Sequence, residues 1–84
     1  MTDIEDFIID QLYFVTPFTA IDLEADYTEK ELANELWLLI EKGWVKCFAD
    51  PENEIQVGKT DFEARFANYH YLASKKGLLE HNSR

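Results

Sequence analysis

Thr28-Glu29-Lys30-Glu31-Leu32-Ala33-Asn34-Glu35-Leu36-Trp37-Leu38-Leu39-Ile40-Glu41-Lys42-Gly43-Trp44-Val45 is the stretch whose reading decides the fold. Thr28 precedes Glu31 by three residues, the spacing at which the two side chains each satisfy a free backbone N–H at a helix start. Leu32, Leu36, Leu39 and Ile40 recur at helical spacing and make one apolar stripe. Gly43 supplies the left-handed residue that closes many helices. The stretch predicts a helix over 29–42 and a turn, after which Trp44-Val45-Lys46-Cys47-Phe48 alternates as a half-buried strand does.

Working outward, Thr2 with Glu5 and Thr60 with Glu63 repeat the capping spacing, Thr19 with Asp22 is a weaker version, and Ser74 opens a last segment. The first box predicts a helix over 3–14, with Ile4, Ile8, Leu12 and Val15 inward and Asp3, Asp6 and Asp10 in water. Thr16-Pro17 ends it, because the residue before proline avoids helical geometry. A short helix over 20–25 follows, turning Ile21 and Leu23 inward. Downstream of the first strand, residues 50–53 form a turn and 55–57 a return strand. Residues 60–68 read as a short helix carrying Phe62 and Phe66. For 69–73 two readings stand, a strand or part of one helix over 61–76. A last helix over 75–81 is weakened by Gly77.

The 84 residues make one domain, 1–84, since a core of this size leaves nothing over for a second. Hydrophobic residues are 46% of the chain, enough to build that core. Cys47 is the single cysteine and cannot form an internal disulfide. With no charged-then-apolar leader, a cytoplasmic location is expected. The longest apolar run, 36–40, is too short to span a bilayer, which removes the membrane as a partner.

The order of elements, together with two motifs, resembles the winged helix-turn-helix family of small bacterial transcription regulators. Leu36-x-x-Leu39-Ile40-Glu41-Lys42-Gly43-Trp44-Val45 is similar to the end of that family's recognition helix where it meets the wing. Tyr71-Leu72-Ala73-Ser74-Lys75-Lys76-Gly77-Leu78-Leu79 is similar to the wing's return strand and closing helix. With 19–42, the likeness covers most of the chain. It implies an α+β fold: a three-helix core, a small antiparallel β wing and a short C-terminal helix. About twenty residues separate Phe48 from Tyr69, so the wing is enlarged.

The resemblance also implies that helix 29–42 docks in a DNA major groove, with Lys30 and Asn34 at bases or phosphates. Lys46 and Lys59 would add phosphate contacts. The charge opposes this reading. The net charge is −9, and residues 1–42 hold eleven acids against Lys30 and Lys42, whereas 43–84 balance six against six. A specific DNA complex draws on roughly 6–10 phosphate contacts, and the tip of the predicted wing is Asp50-Pro51-Glu52-Asn53-Glu54. The favoured expectation is a non-enzymatic domain with a regulatory role in transcription, working through a protein partner or its own copy. Trp37, Leu38, Asn34 and Glu41 are the expected contact residues, since Trp37 and Leu38 fall on the outer face of an acidic helix. The alternative for Trp37 is that it packs under the enlarged wing. A DNA-binding regulator is the second expectation, and an acidic DNA mimic the third.

The residues of catalysis and metal binding are sparse. His70 and His81 lack cysteines or carboxylates at zinc-ligand spacing. Cys47 has no neighbouring base to activate it. Asp22 and Asp26 read as a solvated acidic face, and Gly43, Gly58 and Gly77 stand apart, so no phosphate loop is present. The expectation is no catalytic residue, cofactor, metal or small-molecule ligand.

Overall fold

In the computed structural model, which describes residues 2–21 and 27–83, four α-helices pack with a four-stranded antiparallel sheet. The helices are α1 (Asp3–Asp10), α2 (Glu29–Glu41), α3 (Lys59–Arg65) and α4 (Lys75–Asn82). The strands are β1 (Thr16–Pro17), β2 (Val45–Asp50), β3 (Asn53–Ile55) and β4 (His70–Ala73), in the spatial order β1-β4-β2-β3. Short 3₁₀ turns occupy Phe18–Ala20 and Phe66–Asn68. Most of the helix expected over 20–25, including Asp22 and Leu23, lies outside the described residues.

The decisive stretch folds as its residues require. Thr28 Oγ1 accepts from the Glu31 amide at 3.1 Å, and Glu31 Oε1 accepts from the Thr28 amide at 3.0 Å, so the box closes in both directions. Leu32, Leu36 and Leu39 are fully buried, each contributing about 2 kcal/mol of transfer free energy. Gly43 takes φ +78°, and the Trp44 amide then reaches back to the Leu39 carbonyl at 2.9 Å. That turn launches β2, where Val45 and Cys47 face the core and Lys46 faces out.

The helix expected over 3–14 stops at Asp10. Leu12 is fully buried, and its carbonyl accepts from the Ala73 amide at 2.9 Å. A carbonyl spent on the sheet is lost to a continuing helix, so the chain turns there rather than at Pro17. The Thr60–Glu63 box does not form. The helix begins one residue earlier, with Gly58 at the cap and no side chain capping it; this register buries Phe62. The return strand is 53–55 rather than 55–57. Of the two readings of 61–76 the structure takes the broken one: α3, a 3₁₀ turn, then β4.

β4 occupies the centre of the sheet. Tyr71 stands opposite Thr16 on one side and Cys47 on the other, and Val45 faces Ala73. Tyr71 is fully buried, and its hydroxyl donates to the Phe66 carbonyl at 2.7 Å, which answers the cost of burying a phenol. The 14 residues between β3 and β4 place α3 against α2. That placement opens a cleft between α2 and α3.

Candidate interaction cleft

Two helices with apolar flanks meet here. From α2 come Lys30, Ala33, Asn34, Trp37 and Leu38; from α3 and the turn after it come Lys59, Phe62, Glu63 and Phe66. Between them, with Glu29 at one end, runs a cleft of about 730 Å³. That volume lies within the range of about 300–1,000 Å³ common to ligand sites and holds several side chains.

The aromatic rings build the floor by stepwise contact. Trp37 lies 5.5 Å from Phe62 at 40°, Phe62 lies 5.9 Å from Phe66, and Phe66 meets Phe18 edge-on at 5.1 Å. Phe62 and Phe18 are buried, so the floor is anchored to the core, while Trp37 and Phe66 are only half-buried. Trp37 thus packs against Phe62 of α3 and also lines the open cleft. Leu38 remains 46% exposed at the lip.

The other expected residues divide. Asn34 lines the cleft and is exposed, as are Lys30 and Lys59. Glu41 is exposed on α2 beyond the cleft. Lys46 belongs to β2 and lies 3.8 Å from Glu54, away from the cleft lining. The described bases of the C-terminal half are dispersed over β2 (Lys46), both ends of α3 (Lys59, Arg65) and the start of α4 (Lys75, Lys76). Lys42, the second base of the acidic half, pairs with buried Glu5 and lies 4.6 Å from the centre of the Trp44 ring. Burial pushes the Glu5 carboxyl up, but the Lys42 ammonium and the Thr2 amide and hydroxyl outweigh it and hold it below its ordinary range. No described base pairs with Glu35 or Glu41.

The sequence named Phe62 and Phe66 as helix residues without linking them to Trp37. The four-residue spacing of the two phenylalanines was visible; their partner, across the β2–β3 hairpin, was not.

Other chemistry-bearing residues are used structurally. Burial pushes the Cys47 thiol up to about 11, which keeps it protonated and unreactive at neutral pH. His81 Nε2 sits 3.0 Å from Asp6, and its Nδ1 lies 3.2 Å from the Tyr13 hydroxyl, tying α4 to the α1 end of the chain. Among the described residues there is no cluster of three or more His, Cys, Asp or Glu side chains arranged to hold a metal ion. No described helix is long and apolar enough to cross a membrane. Comparison with family models, with curated proteins and with solved structures finds no match for this chain.

Proposed function

We propose that this chain is a non-enzymatic binding domain of winged-helix type, and that it acts through protein contacts in the cleft between α2 and α3. The observation that carries this reading is the outer face of α2. It offers Leu38 to solvent beside a half-buried Trp37, over an aromatic floor, within a polar rim. Interface anchors have this character: an apolar centre into which a partner's side chain inserts, ringed by groups that stay wet. The winged-helix element of the proposal rests on the order of helices and strands and on β1 beside β4, the strand that leads into α4. α3 is then an insertion in the wing.

What separates this reading from DNA binding is where α3 lies. A recognition helix needs its outer face clear to enter a groove about 12 Å wide. Here the ring of Phe62 rests on Trp37 and α3 lines one side of that face. The carboxylates of Glu35 and Glu41 add repulsion toward phosphate, unrelieved by any described ion pair.

A photo-crosslinking amino acid in place of Leu38 tests the proposal, with one in place of Leu79, exposed on α4, as the control. Position 38 should yield a discrete protein adduct in cells, or a dimer of the chain, that position 79 does not. Adducts to nucleic acid from position 38, or the same adducts from both positions, would overturn it.

A further inference from the structure

We infer that the occupant of the cleft is an amphipathic helical segment of a different protein, carrying apolar anchors on one face and lysines or arginines beside them. The inference rests on the protein-binding reading above and deepens it to the chemistry of the partner. Its first support is charge around the lip. Glu35 and Glu41 lie three residues before and after Leu38 on α2, so both flank the exposed leucine on the helix surface. Neither pairs with a described base. Within the cleft, Lys30 and Lys59 offset Glu29 and Glu63, which leaves the Leu38 lip as the negative side. The chain's net charge of −9 extends that field. A partner that covers Leu38 must approach both carboxylates, and bases at those positions turn a desolvation cost into attraction.

The same charges disfavour a second copy as occupant. A two-fold contact is isologous, pressing each patch against itself. It would set Glu35 and Glu41 of one copy near those of the other, between two chains of charge −9 each.

Shape favours a helix. Both walls are helical, and the α2 wall from Glu29 to Leu38 runs about 14 Å at 1.5 Å per residue. That length accepts two to three turns of a docked helix, read through anchors at i, i+3 or i+4 and i+7.

Two synthetic probes test the inference. Each is an amphipathic peptide of ~14 residues with leucines on one face; one carries lysines elsewhere, the other glutamates. Each is titrated into ¹⁵N-labelled protein while the Trp37 and Trp44 indole N–H resonances are followed. Trp44 serves as the internal control because it lies beside Lys42, outside the cleft lining. The lysine peptide should move Trp37 and leave Trp44, binding at least about tenfold more tightly than the glutamate peptide at low salt. Salt should erode the preference, and E35Q/E41Q should weaken the lysine peptide about threefold to tenfold. Equal binding of both peptides at Trp37 would overturn the cationic partner and leave the cleft reading standing. A Trp37 shift that grows with protein concentration alone would overturn it in favour of a second copy. If neither peptide moves Trp37, the inference and the cleft reading fall together.

Discussion

The corner at the C-terminal end of α2 and the cleft along its outer face use one helix in opposite ways. At the corner the backbone is tied to its surroundings by successive bonds. Ser74 Oγ donates to the Gly43 carbonyl at 2.6 Å and accepts from the Gly77 amide at 3.0 Å, while the Ser74 amide donates to the Trp44 carbonyl at 2.9 Å. In the cleft, Asn34 and Leu38 are exposed, and nearby Glu35 and Glu41 have no described ion-pair partner. The difference separates a region whose contacts are completed within the chain from one that leaves contacts to offer. Substitutions should therefore cost stability at the corner and binding at the cleft.

The largest expected effect is at the corner. A Cβ on Gly77 would stand 2.2 Å from the Trp44 carbonyl oxygen, a backbone atom that cannot swing aside. Gly77→Ala should cost about 3 kcal/mol and lower the melting temperature by more than about 10 °C, as calorimetry would record. A variant as stable as the parent would break the comparison, since α4 would then not depend on close approach to the Trp44 backbone.

A smaller effect is expected where Lys42 reaches from the same end of α2 to Glu5. Lys42→Met leaves a buried carboxylate without its cation. Because Lys42 is itself about half exposed, the loss should be about 1–2 kcal/mol rather than the larger figure for a fully buried pair. The pH dependence has a definite sign. Glu5 is held below its ordinary range when folded, so its contribution is complete above about pH 4.3 and is lost as pH falls through the lower folded value. Urea unfolding at pH 7 and pH 3 should show the gap between parent and Lys42→Met narrowing at the lower pH.

Much of this contrast was legible in the sequence, and the missing part has a common cause. The Thr28–Glu31 box and Gly43 marked both ends of α2, because caps are local chemistry. Strand alternation after Trp44 placed β2 for the same reason. The end of α1 was not legible, because it depends on Ala73 taking the carbonyl of Leu12, 61 residues away in the chain. Gly77 read as a weak point in a helix, whereas packing makes it a requirement of one. Likewise Glu5 offered a capping residue but no hint that Lys42 would meet it. At the candidate site, Trp37, Leu38 and Asn34 were named as protein contacts from the α2 pattern, whereas Lys30 and Lys59 were named only as contacts to DNA. Phe62 as the second wall was not, since local periodicity does not say which neighbour a helix packs against.

A still smaller effect on stability is expected from Leu38→Ala, within about 0.5 kcal/mol, as for other exposed positions. Its binding consequence should be larger, with the lysine peptide weakened by about tenfold or more. An unchanged affinity would move the docking surface off Leu38 and sharpen the comparison toward the α3 wall.

The central claim is that α2 divides its work, Leu32, Leu36 and Leu39 inward for the fold and Asn34, Leu38 and Glu41 outward for a partner. The urea-unfolding free energy of the triple variant N34A/L38A/E41Q tests it most directly. The account predicts a value within about 0.5 kcal/mol of the parent and an unchanged denaturant slope. A loss beyond about 2 kcal/mol would show that the outer face is part of the fold's own support and would contradict the account.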